Sequence, residues 1–227
     1  MKNLNTYIYE KLTIVHNQYS YVPETKKELK EIITERLNQD PDADLNDIDV
    51  RNITDMSNLF STLDPHNIDI SKWDVSNTKN MSGMFQHCYN FNSDLSKWDV
   101  SKVKDMNWMF TKCENFNSDL SHWNVSNVEN MQNMFASCKN FTSDLSNWDV
   151  SKVKNMQDMF GGCKNFNSDL SKWDVSKVKD MSLMFDGCTK FKSDLSNWDV
   201  SKVEDMRWMF DGCRRMTKRP EWWYEQR

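Results

Sequence analysis

Only five glycines occur in this chain of 227 residues, and none belongs to a phosphate-cradling loop; Gly161-Gly162 reads as a helix end. Histidine is as sparse, and His16, His66, His87 and His122 share no common place in the pattern described below. Cysteines never occur at the short C-x2-C type intervals that zinc requires. No apolar run approaches the ~18 residues of a membrane span. The longest near the start, Leu12-Thr13-Ile14-Val15, is too short for a secretory leader. Basic residues form no block: 29 Lys and Arg are interspersed with 34 Asp and Glu, for a net charge of −5. That excludes the clustered positive face of a nucleic-acid binder. Carboxylates are spread so evenly that none stands out as a perturbed acid or base. The expectation is a non-catalytic protein without cofactor or metal, cytoplasmic or virion-associated.

What the sequence has is a period. Trp73, Trp98, Trp123, Trp148, Trp173 and Trp198 follow one another at 25 residues without insertion, and Met56 to Met206, Phe60 to Phe210 and Cys88 to Cys213 keep the same step. Periods of about 20–29 residues mark leucine-rich-repeat solenoids, in which each coil buries its apolar side chains only against its neighbours. Within one copy, Trp98 and Val100 alternate with polar residues as in a short strand. Ser101 stands where a helix N-cap belongs, and Val103, Met106, Met109, Phe110 and Cys113 follow at helical spacing. Ser126-to-Glu129 and Ser201-to-Glu204 read as capping boxes. The predicted fold class is α/β: a leucine-rich-repeat solenoid with short parallel strands on one face, helices on the other and an N-terminal helical cap. The six cysteines, one per coil, read as buried free thiols in a reducing compartment.

Three segments follow. Residues 1–44 form a helical N-terminal segment and cap: Leu4, Ile8 and Leu12 make one stripe, and Glu24 to Asn38 a second helix with Leu29, Ile32, Ile33 and Leu37 inward. Residues 45–216 form seven coils, and 217–227 an aromatic cap in which Trp222, Trp223 and Tyr224 cover the last coil.

The block FNSDLSKWDVSKVKDMNWMF, with seven copies of Met-x-x-Met-Phe (Leu59 replacing the second Met in the first), resembles the BspA-like leucine-rich-repeat family, the repeat type of mycoplasma lipoproteins. The stretch from Thr25 to Val50 is similar to the start of short members encoded by gut bacteria and their phages. The resemblance implies an interaction surface, often adhesive. This chain shows neither a leader nor a lipobox cysteine, which sets it apart from surface-displayed members.

Candidate contact residues are those that vary while the frame repeats. Lys97, His122, Asn147 and Lys172 precede the strand tryptophan and are expected on a concave face; Trp108 and Trp208 precede Met-Phe and are expected on the convex side, as exposed aromatic anchors for a protein partner. Two acidic columns, Asp74 to Asp199 and Asp69 to Asp194, read as acceptors for local amides. Two other functions compete with partner binding: a structural part of a larger, possibly phage, assembly recruited through residues 1–22, and a calcium-dependent adhesin using the Asp columns.

Overall fold

Short polar side chains compete with regular secondary structure by bonding nearby backbone, and this chain carries one every few residues. In the computed structural model, which describes residues 19–61 and 63–225, they prevail. In the coil from Asp94 to Ser118, Asp94 accepts from the Ser96 amide at 2.9 Å, Asp99 from Ser101 at 3.0 Å and Asp105 from Asn107 at 3.0 Å. Between these, amides close back three residues: Trp98 to the Leu95 carbonyl, Val103 to Val100, Met109 to Met106, Cys113 to Phe110 and Phe116 to Cys113. The residues at the turn corners are the ones that point inward, and all of these are at most 4 % exposed.

Stacking, not local pairing, satisfies the rest of the backbone. The amides of Met106, Trp108, Phe110 and Lys112 donate to the carbonyls of Asn130, Gln132, Met134 and Ala136 in the next coil, and the same four bonds recur between successive coils at 2.6–3.1 Å. This geometry needs two left-handed residues per coil. Trp108 (φ 58°) and Lys112 (φ 63°) take it here, as do their counterparts in the other complete coils. The second position becomes glycine from Gly162 onward, where a Cβ would carry a penalty.

Side chains form matching columns. Phe110 stacks on Phe85 and Phe135 at 5.6 and 5.5 Å, and on Phe116 of its own coil at 4.1 Å. Each repeat tryptophan sends its indole N–H back to a carbonyl in the preceding coil, as Trp123 does to Leu95 at 3.0 Å. Each cysteine does likewise, Cys138 to Phe110 at 2.9 Å. All six thiols are free, and all but the half-buried Cys213 are buried.

The predicted α/β architecture is therefore corrected. Among the described residues there is no sheet and no repeat helix; the helices are α1 (Lys26–Gln39) and α2 (Trp222–Glu225). A positive φ at Trp108 and again at Lys112 breaks a helix twice in five residues, and the intervening amides bond to the next coil instead of to their own turn. Trp98 and Val100 lie inside because of flanking turns, not a strand. Parallel pairing does occur between coils, but as single bridges at another place, Asp55–Asn80–Asp105 and onward to Asp205. With no strand layer and no helix layer, the division into a concave strand face and a convex helix face lapses as well.

At the front of the stack, Thr25 and Glu28 form a capping box that starts α1. Its Leu29 and Ile33 are fully buried, and Lys26 reaches Asp55 and Ser57 of the first coil. Tyr21 pairs with Ile48; the expected helix on Leu4, Ile8 and Leu12 lies outside the described residues. At the back, Trp222 takes the place of a repeat tryptophan: its indole donates to Leu195 at 3.0 Å, and its ring lies 6.3 Å from Phe210. Trp223 packs edge-on against Phe210 at 5.0 Å.

Candidate functional site

The turn Leu95-Ser96-Lys97-Trp98 fixes both ends inward, so the second central residue must face out. Lys97, His122, Asn147 and Lys172 occupy that position in consecutive coils and all are exposed. They form one column in register, with a cation, an imidazole and an amide above one another. The neighbouring column is tied down: Lys102 reaches Asn77 at 2.8 Å and Lys152 reaches Asn127 at 2.7 Å.

Trp108 and Trp208 share a position but stand four coils apart, and the structure does not bring them together. Trp108 is half-buried beside a shallow hollow of about 300 Å³, also lined by Asn58, Ser82, Gly83, Gln86 and Asn107. The hollow exists because Gly83 stands in the tryptophan's position one coil earlier. Trp208 is 56 % exposed, with the Arg207 guanidinium 5.5 Å from its ring centre. It borders a hollow of about 490 Å³ with Val203, Met206, Arg207 and Trp223. Between these two tryptophans the column holds Asn133, Asp158 and Leu183, and Asn133 donates to Asp158 at 2.6 Å. Burial, aided by the nearby Asp186 charge, pushes the Asp158 carboxyl up to about 6.

The acidic columns are engaged locally. Asp99 accepts from the Ser101 hydroxyl and amide, which hold its carboxyl below the usual range; Asp94 does the same with Ser96. No group of three or more metal-ligating side chains gathers among the described residues. Burial pushes every thiol upward, Cys213 to about 12 and the interior ones further, away from the thiolate that nucleophilic chemistry needs.

Sequence reasoning missed the backbone edge of the last coil. In the last described coil the amides of Met206, Trp208, Phe210 and Gly212 donate to no described residue, although Phe210 itself is buried beneath Trp222 and Trp223. Arg207 pairs with Asp205 at 2.6 Å, while Arg215, Lys218 and Arg219 line a separate hollow with Asp194. The signal was available: the repeat stops at Met216, which Arg214-Arg215 and Lys218-Arg219 flank.

Taken together, the fold and these surfaces define a repeat protein of stacked 25-residue coils, without regular strands among the described residues. The chain belongs to the family described as "Mycoplasma protein of unknown function, DUF285", whose model matches residues 27–148 and 118–223. No curated protein and no solved structure matches it. Among the described residues, no helix is long and apolar enough to cross a membrane.

Proposed function

We propose that the chain is a non-catalytic protein-binding or scaffold module that engages its partner through the side of the coil stack. Within the family, we read the repeats as the BspA-like type and the stretch from Thr25 to Val50 as resembling the short form of gut bacteria and their phages. One observation carries the functional reading: the exposed column Lys97, His122, Asn147 and Lys172 changes chemistry from coil to coil while the turn that presents it stays the same. A rigid ladder of varied side chains is how repeat proteins recognise extended surfaces. The turn that presents the column is fixed by the stack, so only its side chains need ordering on contact.

Pull-down from a lysate of the source cells tests this, using the full chain, a chain starting at Pro23 and a fourfold variant with Glu at 97, 122, 147 and 172. Loss of the partner with the fourfold variant, but not with the truncation, supports the reading. Loss with the truncation alone makes residues 1–22 the address and replaces it with the assembly-component role.

A further inference from the structure

Position 83 is where one column of the stack is interrupted. Its counterparts Asn58, Trp108, Asn133, Asp158, Leu183 and Trp208 all carry a side chain on left-handed backbone. Glycine at 83 keeps that backbone (φ 60°) and leaves a gap, over which Asn58 reaches: a Cβ at 83 would collide with the Asn58 side-chain oxygen. The result is the hollow of about 300 Å³ between Asn58 and Trp108, bounded by Ser82, Gln86 and Asn107. None of its lining residues is charged. Lys30, which approaches Asn58 from α1, donates to its backbone carbonyl at 3.3 Å, and Asp105 accepts from the Asn107 amide at 3.0 Å. Further along the stack the same columns are closed. Gln132 donates to Gln157 and Asn133 to Asp158, both at 2.6 Å, and the Thr111 hydroxyl donates to the Asn133 carbonyl. At the hollow, the polar side chains of Asn58, Ser82, Gln86 and Asn107 have no hydrogen-bond partner among the described residues, and neither does the Trp108 indole.

We infer that this hollow binds one neutral sugar ring, its C–H face against Trp108 and its hydroxyls on the side chains of Asn58, Ser82, Gln86 and Asn107. The lining selects that occupant. Side-chain amides and hydroxyls both donate and accept, as sugar hydroxyls do. An anion or an ammonium group meets no opposite charge among the lining residues, and desolvating it unpaired is unfavourable. A purely apolar ligand strips water from four polar side chains and leaves them unpaired. A sugar combines an apolar face with a polar rim, which matches an indole set among amides. The volume of about 300 Å³ lies at the low end for ligand sites. It has room for a single ring, so the site takes a terminal sugar or one unit of a longer glycan. Lys97 and its column are not among the lining residues, so either site can fail without the other.

The test is titration of the full chain with the methyl glycosides of glucose, galactose, mannose and N-acetylglucosamine, read by amide and indole N–H chemical shifts. At least one saturates with a Kd of about 1 mM. It moves the Trp108 indole and the side-chain amides of Asn58, Gln86 and Asn107, while the Trp208 indole stays in place. Two variants use residues that this repeat position already carries. Gly83→Asn, the residue found at 58 and 133, fills the hollow and abolishes saturation. Trp108→Leu, the residue found at 183, removes the ring and weakens binding by about tenfold or more. Both keep the amide shifts of the distant coil from Met156 to Phe160. Three results overturn the inference: no saturation by about 100 mM of any glycoside, saturation with the Trp108 indole unmoved, or Gly83→Asn binding as tightly as the unaltered chain. Tighter binding of acetyl-proline methylamide than of every glycoside also overturns it, in favour of a peptide.

Discussion

Asp158 shows how one residue departs from its column. Where other coils place Trp, Leu, Asn or Gly, it puts a half-buried carboxyl near Asp186, and its folded pKa rises to about 6. Such a group costs nothing while protonated in both folded and unfolded chains. Stability is lost as pH climbs from about 4 through about 6, where the unfolded carboxyl ionises more readily. Asp158→Asn keeps the acceptor for Asn133; its stabilisation, measured by urea unfolding, is near zero at acid pH and about 1 kcal/mol at neutral pH after discounting for partial exposure. The left-handed positions give a mirror pair. Lys112→Gly relieves a strained backbone and stabilises by about 0.5–1 kcal/mol, whereas Gly187→Ala costs a similar amount. The alanine is a clean probe, because its Cβ would meet Gly162 Cα at an ordinary 3.6 Å. The thiols predict a chemical order: a thiol reagent on native protein reaches Cys213 first, and all six react after denaturation.

At the scale of the element, the buried set was legible and its secondary structure was not. Trp98, Val100, Val103, Met106, Met109, Phe110 and Cys113 all point inward as their apolar character requires. Consecutive three-residue turns place corners at spacings of three and four, which is also the stripe of a helix, so periodicity could not separate the two. The distinguishing sign is left-handed backbone, and glycine advertises it in few copies: Trp108, Asn133, Asp158, Leu183 and Trp208 adopt positive φ without one. Gly162, Gly187 and Gly212, aligned at one repeat position, were the readable trace of it. The acidic columns were legible because an Asp two residues before a Ser has an obvious local partner, and the amide bonds from Ser96 and Ser101 follow that logic. With those carboxylates engaged locally, a chelator leaves the melting temperature unchanged; a fall would favour the calcium-dependent adhesin over the reading proposed above. The exposed Lys97 column was legible as variation, and the direction of the bonds between coils was not, because backbone groups carry no residue identity.

For the whole molecule, the register of 25 residues is the structural unit. Deleting 119–143 joins Ser118 to Asp144, a junction of the same Ser-Asp type, and lets the amides of Met106 to Lys112 meet the carbonyls of Asn155 to Gly161. Such a chain folds, with the melting temperature lowered by about a few degrees in a thermal scan; a deletion out of register does not fold. The direction of the ladder has one more result. Four peptide groups per coil point their amides toward the C-terminus, against one of the Lys104 type, joined by Asn115 and Asn140 in their coils, that points back. Peptide dipoles of about 3.5 D aligned in this way add as they do in a helix. The stack is therefore an electrical rod, negative where Lys26 and Lys30 of α1 approach it and positive at its last coil. Lengthening it by further repeats moves the two poles apart without changing their size, so the sign of each end is set by hydrogen-bond direction before any side chain is chosen.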